Sequence, residues 1–298
     1  MKNFTVSVVV PNFNGEKLLE KNLPFILSAK ENRENRIDEI IIVDDGSQDG
    51  SIKLISSMFP QVKLIKHRIN RGFSASVNTG VRAAKGDLIC LLNSDVVPET
   101  NFLESVFSHF LKPKVFAISL NEIGNYSWAR GSFINGFIEH SIGLKSLVPH
   151  DTFWVSGGSG VFRRSVWMEL GGMDEKLLSP FYWEDVDLSY RALKRDYRLI
   201  WDPDAKVTHA HEATINRLPK TYVQRVLERN QLLFIWKNLT STNLFRKHLV
   251  GLFKRLAKHP GYIRIVLMAL RKVNMLIKAR NKEIKEAKIS DETIFSRF

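Results

Sequence analysis

Cysteine is almost missing from this 298-residue chain, in which Cys90 stands alone. An internal disulfide and a cysteine-based zinc site are thereby excluded, and a reducing compartment is the expected surrounding. Long apolar runs are missing as well. The longest stretch without a charged residue, Asn3 to Gly15, has 13 residues and contains Pro11, whereas a membrane-spanning helix needs about 20 apolar residues. The N-terminus has one Lys and a short apolar run with no small-residue cleavage site, so it does not read as a secretory signal. No internal repeat or low-complexity tract is evident. Cys90 itself falls in an apolar run and reads as an inert core thiol.

What the chain does have is apolar residues, 44% of the total, and a formal charge of +13. The first is ample for a sizeable core in one large domain or two small ones. The second is local: residues 1–214 hold 25 Lys plus Arg against 26 Asp plus Glu, whereas the remainder holds 19 against 5. The basic excess therefore belongs to the C-terminus and calls for an acidic partner there, with nucleic acid, anionic lipid or an acidic substrate as the choices.

Along the first half, short β-rich runs alternate with helical patterns, as expected of an α/β unit with a mostly parallel sheet. Val6–Val10, Glu39–Val43, Val62–Ile65 and Asp87–Leu92 read as strands, with helices at Lys17–Lys30 and Ser74–Ala84. Sheets of this kind bind ligands just beyond the carboxyl ends of their strands. Those positions hold Pro11-Asn12-Phe13-Asn14-Gly15, Asp44-Asp45-Gly46-Ser47 and Asn93-Ser94-Asp95. Turn chemistry and helix capping would account for any one of these clusters, but three in register on one edge suggest a site.

Chemistry can be assigned to the acids in turn. Asp95, after a buried strand and without cysteine nearby, suits a hard divalent ion, magnesium or manganese, held partly through phosphate oxygens. Asp45, beside Asp44, suits the imide N–H of a uracil or thymine ring. Glu184-Asp185 follows the aromatic run Phe181-Tyr182-Trp183 and opens a helical pattern, where simple capping is the plainer explanation. Trp183 has an aromatic face suited to a sugar, and Gly157-Gly158 lets backbone approach a ligand.

Taken together, Val8-Val9-Val10-Pro11-Asn12-Phe13-Asn14, Val43-Asp44-Asp45-Gly46-Ser47, Asn70-Arg71-Gly72-Phe73 with Asn78, Leu91-Leu92-Asn93-Ser94-Asp95, Gly157-Gly158, and Trp183-Glu184-Asp185-Val186-Asp187-Leu188 with Arg191 resemble family 2 inverting glycosyltransferases of the GT-A fold. The similarity is greatest to their bacterial rhamnosyltransferase-like branch and covers about residues 4–240. It implies a Rossmann-like, mostly parallel central sheet flanked by helices. It implies a donor pocket for a dTDP- or UDP-sugar, dTDP-rhamnose among them, bordered by Pro11, Asn12, Asn14, Asp44, Asp45, Asn70, Gly72, Phe73, Asn78, Asn93 and Ser94. Asn93 stands where the family has the first acid of its Asp-x-Asp metal motif, which leaves Asp95 as the main carboxylate for magnesium or manganese. His209 and His211 match a late histidine block that completes the metal site. Asp185 is implied as the general base with Glu184 in support, and Trp183, Gly157, Gly158 and Arg191 face the acceptor sugar.

From Thr221 on, helical periodicity takes over. Phe245, Leu249, Leu252, Phe253 and Leu256 form one stripe, and Ile263, Val266, Leu270, Val273 and Ile277 a second, both among Lys and Arg. Such stripes pack on a domain or lie in an anionic membrane surface. The expected division is a catalytic domain at 1–240 and a basic amphipathic helical tail at 241–298, placing the enzyme in the cytoplasm, peripheral on the inner face of the cell membrane, acting on a lipid-linked or polysaccharide acceptor. Deleting the tail beyond about Asn243 is expected to release the chain from anionic vesicles and spare donor binding. Two readings compete: a sugar nucleotidyltransferase, which would want a Gly-rich basic loop where Pro11–Gly15 stands, and a non-catalytic basic membrane- or nucleic-acid-binding module. The acidic constellation argues against nucleic acid as the partner.

Overall fold

A computed structural model describes residues 3–124, 128–210 and 218–298. The strands expected in the first half form, and they alternate with helices: β1 (Val6–Asn12), α1 (Glu16–Glu31), β2 (Ile37–Asp44), α2 (Ser51–Met58), β3 (Lys63–Lys66), α3 (Phe73–Ala83) and β4 (Leu88–Leu92). Then come β5 (Val96–Pro98), α4 (Val106–Phe110), β6 (Val115–Glu122), a hairpin of β7 (Ala129–Ile134) and β8 (Phe137–Ile142), β9 (His150–Asp151), β10 (Ser159–Arg163), α5 (Arg164–Leu170), α6 (Glu184–Lys194) and β11 (Arg198–His209). Five helices follow: α7 (Lys220–Asn238), α8 (Thr242–Lys258), α9 (Ile263–Leu270), α10 (Val273–Glu286) and α11 (Asp291–Phe295).

The main sheet runs β3-β2-β1-β4-β10-β6-β11-β5, with β9 added beside β11. β3, β2, β1 and β4 are parallel, β10 runs antiparallel between β4 and β6, and β6 pairs parallel with β11. Chain order reverses between β1 and β4, which opens a crevice at their carboxyl ends. Because β10 is antiparallel, its beginning, Gly157-Gly158 and Ser159, lies at that same edge.

The central strands are buried on both faces, which is why they read as continuous apolar runs. Val9, Ile41, Val43, Ile89 and Leu91 point into one core, whereas Val8, Val10, Ile40, Ile42, Cys90 and Leu92 point into the other. The alternation is the two-residue period of a strand. Close approach on the first face depends on Gly80 of α3, where a Cβ would lie 2.3 Å from Val9.

The C-terminal helices do not leave the body of the protein, but the expected stripes are not the faces that pack: Leu249, Phe253, Ile263, Leu270, Val273 and Ile277 are exposed, and Leu252 is the stripe residue that is buried. Leu252, Ile265, Ala269, Leu276 and Ile294 join the same core as Trp183 and Phe234. The second stripe is divided at Arg271-Lys272 into α9 and α10 instead of forming one helix. Polar contacts fasten the C-terminal helices to α6. Asp291 accepts from Tyr190 Oη at 2.7 Å, Lys194 Nζ at 2.8 Å and the backbone N–H of Thr240 and Ser241, and Arg195 pairs with Glu283 at 2.7 Å. Since α6 begins with Glu184-Asp185, the tail holds the helix that carries them.

Candidate active site

Three strand ends build one side of the crevice. At the end of β1, Asn12 donates through Nδ2 to Asp44 Oδ2 at 2.9 Å, and the Asn14 N–H donates to Ser47 Oγ at 2.8 Å. Asn14 has φ +51°, a left-handed turn that asparagine tolerates better than most residues. Asp45 ties a second loop to this one: its carboxylate accepts the Arg71 N–H at 2.9 Å and the Gly72 N–H at 2.8 Å, and His67 Nδ1 lies 2.7 Å from Oδ1. Pro11, Phe73 and Gly72 are half-buried along this rim, and Asn70 is exposed at its mouth.

Asn93, Ser94 and Asp95 follow β4. The Asn93 N–H donates to the Gly158 carbonyl at 2.8 Å, and a Cβ on Gly158 would lie 2.3 Å from the Asn93 side chain, so glycine is required where these loops touch. Asp95 is buried and meets His209 Nε2 at 3.3 Å, while His209 Nδ1 meets Glu122 Oε1 at 2.9 Å. Burial alone would lower the His209 pKa, but bonding to Asp95 and Glu122 raises it to about 9. Among the described residues no group of three His, Cys, Asp or Glu is arranged to hold a metal by itself. A carboxylate and an imidazole nevertheless converge there, a partial oxygen and nitrogen set of the kind magnesium or manganese completes with substrate phosphate oxygens. Asp95 fits such an ion, and His209 would join it by giving up the Nε2 proton it shares with Asp95. His211 lies outside the described residues.

Asp185 stands across the crevice at the start of α6, after two consecutive left-handed residues, Tyr182 at φ +71° and Trp183 at φ +73°. Two such non-glycine positions in a row are costly, about 1–3 kcal/mol each, and are held only where surroundings overdetermine them. Here Asn230 of α7 donates to the carbonyls of Phe181 at 2.8 Å and Tyr182 at 3.0 Å, and Trp183 stacks on Phe234 at 5.0 Å. Asp185 accepts from its neighbour's N–H, that of Val186, at 2.8 Å and from Gly157 N–H at 3.4 Å. Burial raises its pKa; those N–H groups and His140 hold it back. Glu184 is pushed well above the usual carboxylate range by burial and then by Asp185, and its Oε2 is buried without a hydrogen-bond partner.

Two cavities adjoin this edge. The larger, about 1130 Å³, is lined by Asp185, Tyr182, Trp183, His140, Trp154 and residues of α7, α8 and α9. The smaller, about 470 Å³, includes Glu122, His209 and Ser156. His140 and Trp154 line both, so they form the wall between the Asp95–His209 side and Asp185.

Against this geometry the comparisons with known proteins can be set. The profile of glycosyl transferase family 2 matches residues 7–171. The chain belongs to glycosyl transferase family 2. Among curated relatives, the pre-mycofactocin glycosyltransferase of Mycobacterium tuberculosis is 30% identical over 219 residues, covering 70% of this chain but 43% of the relative. The chain thus spans less than half the length of that protein. Solved structures similar in fold include GalNAc-T7 with UDP, GalNAc and Mn2+, at TM-score 0.64 and 16% identity over 87% of this chain and 57% of the other. A second is the mannosyltransferase PcManGT from Pyrobaculum calidifontis in complex with GDP-Man and Mn2+, at TM-score 0.55 and 18% identity over 95% of this chain and 88% of the other. The GT-A fold expected from the motifs is therefore the fold observed.

Some expected site residues of this family 2 chain are placed differently from the rest. Arg191 is buried, and its guanidinium donates to Asp187 at 2.8 Å and to the carbonyls of Leu170 and Gly172. It braces α6 and lines neither cavity. The Asn78 amide is likewise occupied with the backbone of Met173, at 2.8 Å and 3.0 Å, and clips the loop after α5 to α3. Glu122, His140 and Asn230 were not foreseen. Glu122 carried one signal, an acid at a strand's carboxyl end; His140 and Asn230 carried none, since neither belongs to a motif.

Proposed function

We propose that this chain transfers a sugar, with inversion, from a dTDP- or UDP-sugar to a hydroxyl of a lipid-linked or cell-surface glycan. The reading is supported above all by one juxtaposition: Asp185 accepts from the Gly157 N–H, and the neighbouring Gly158 carbonyl accepts from Asn93, two residues before Asp95, so the two acids flank one glycine pair. The acceptor oxygen attacks the anomeric carbon as the bond to the donor's diphosphate oxygen breaks on the opposite face. The acceptor proton passes to Asp185, a transfer typically worth about 10²–10⁴ in rate. Burial and the neighbouring Asp185 raise the Glu184 pKa well above the usual carboxylate range, which favours the negative charge on Asp185. Asp95 and His209, with His211, would hold magnesium or manganese, which when bound supplies Lewis-acid stabilisation of the leaving diphosphate. Asp44, Asp45, Asn12 and the Asn70–Phe73 loop frame the nucleotide; Asn93, Ser94 and Gly158 border the diphosphate, and Trp183 and Gly157 face the acceptor sugar.

The rhamnosyltransferase-like branch, with dTDP-rhamnose as donor, and the division at residue 240 into a catalytic domain and a membrane-surface tail are part of the same proposal. No helix among the described residues is long and apolar enough to cross a membrane. α8 exposes Leu249, Val250 and Phe253, and α9 exposes Ile263, Leu267 and Leu270, beside Arg246, Lys247, Lys254 and Arg271. That combination supports attachment to the anionic inner leaflet.

The test is a thermal-shift screen of nucleoside diphosphate sugars with manganese or magnesium, followed by assay of nucleoside diphosphate release. The cognate donor raises Tm by mass action, and Asp185→Asn keeps that shift while turnover disappears. Full activity of Asp185→Asn removes the base from the mechanism, and a flat response to every nucleotide sugar removes the donor.

A further inference from the structure

We propose that the larger cavity is an anion subsite for the acceptor, in which Arg225, Arg255 and Arg264 receive a phosphate or diphosphate ester next to the accepting sugar. This rests on the glycosyltransferase reading above and names the class of its acceptor. The three arginines come from three helices, α7, α8 and α9, and line the cavity that also contains Asp185. Arg255 is held by ring faces: its guanidinium lies 3.6 Å from the Phe137 centroid and 5.2 Å from that of Tyr262. Among the described residues no carboxylate lies within ion-pair distance of any of the three. The cavity's carboxylates Glu139 and Glu228 are instead hydrogen-bonded by Gln231 at 3.0 Å and Gln224 at 2.8 Å.

Guanidinium groups brought to one cavity by three separate elements, none of them in an ion pair among the described residues although Glu139, Glu228 and Asp185 share the lining, match phosphate oxygens, which accept several N–H donors at once. A neutral glycan would leave them unused. Nearer Asp185 the lining changes to Tyr182, Trp183 and Trp154, and the Trp154 Nε1 donor is buried without a partner. An aromatic wall with a spare donor suits a sugar ring, so sugar and phosphate occupy successive parts of one cleft. The tail is then a component of the acceptor site, because Arg255 and Arg264 both lie beyond residue 240.

Because Trp154 and Trp183 line the cavity, tryptophan fluorescence reports occupancy. The probes are geranyl diphosphate, inorganic pyrophosphate and geraniol, added to the full chain in EDTA. Geranyl diphosphate is expected to quench saturably, weakening as salt rises, and geraniol at least tenfold less tightly. Arg225→Gln/Arg264→Gln, at two exposed positions, is expected to lose at least tenfold in affinity at unchanged Tm; if Tm falls, Arg264→Gln alone carries the comparison. Pyrophosphate binding as tightly as geranyl diphosphate makes the phosphate the whole of the recognised group; weaker pyrophosphate binding adds the apolar chain. Equal affinity in wild type and variant, tight geraniol binding, no binding at all, or, in a parallel titration without EDTA, displacement by UDP with Mn2+ each overturns the subsite. Failure of the underlying reading registers elsewhere, as the absence of any nucleotide-sugar shift in Tm.

Discussion

Two adjacent carboxyl groups, Glu184 and Asp185, show how environment separates residues of one chemical type. Both are raised by burial, but Asp185 recovers part of its stability as an anion from two N–H groups, whereas Glu184 also feels the charge of Asp185. Neighbouring acids whose surroundings push their pKa values apart form the pattern on which Asp185 is proposed as the base. The sign of the resulting pH dependence follows directly. Below the raised pKa the base is protonated, so kcat/KM falls about tenfold per pH unit on the acid side, beginning above the range of an ordinary aspartate. A pH–rate profile checks this, and activity that stays level down to about pH 4 contradicts it. At this scale Asp95, Asp185 and His209 were legible because their motifs are contiguous in the chain. His140 was not: burial keeps its pKa low, and only folding of the β7–β8 hairpin brings it to Asp185.

At the scale of elements, α6 is the hinge between chemistry and stability. Its first turn carries the proposed base Asp185, and in the same turn Asp187 lies fully buried between Lys237 at 2.9 Å, Arg191 at 2.8 Å and Asn238 at 2.8 Å. Burial by itself would raise the Asp187 pKa, but Lys237 and Arg191 bring it down to about 2 from 3.8. A depressed carboxylate contributes stability above its unfolded pKa, and the contribution is lost as pH falls from there through the folded value. About 2 kcal/mol should therefore disappear between roughly pH 4 and pH 2. Urea midpoints across that window measure it, and Asp187→Asn should lack the increment while losing about 3–5 kcal/mol at neutral pH, because Lys237 and Arg191 are left buried without their anion. The aromatic and glycine-rich middle of the chain was less legible. β10 and the β7–β8 hairpin are stabilised by partners far along the sequence, and a short apolar run does not announce which strand it will pair with.

For the whole molecule, the C-terminal helices are both structural and exposed. Asp291 gathers Lys194, Tyr190 and two backbone N–H groups, so Asp291→Ala strands a buried ammonium and should cost about 3–5 kcal/mol, read as a lower urea midpoint. A smaller loss, within about 1 kcal/mol, would mean that the pair behaves as though exposed. Deletion beyond about Asn243 would uncover the Trp183 and Phe234 core and release α6, so it does not isolate membrane binding as the separate-tail picture expected. Surface substitutions do: Leu249→Ser/Phe253→Ser, at side chains 50% and 73% exposed, should weaken binding to phosphatidylglycerol vesicles by about a hundredfold or more with Tm unchanged, since each change removes about 1.5–3 kcal/mol of burial in the bilayer. Undiminished vesicle sedimentation would exclude this face as the contact.

Composition and spacing alone established the α/β class, the parallel strands of the first half and the acids at the strand ends, since each follows from short-range periodicity; the resemblance of contiguous motifs pointed to the family. Composition also located the basic excess. Tertiary structure decided the rest: that Arg191 and Asn78 brace the fold, that Glu122 bonds His209 and His140 lies near Asp185, and that the basic helices line the cavity containing Asp185. These depend on which distant elements pack together, and packing is set by the burial of whole faces, which a linear pattern records only one face at a time.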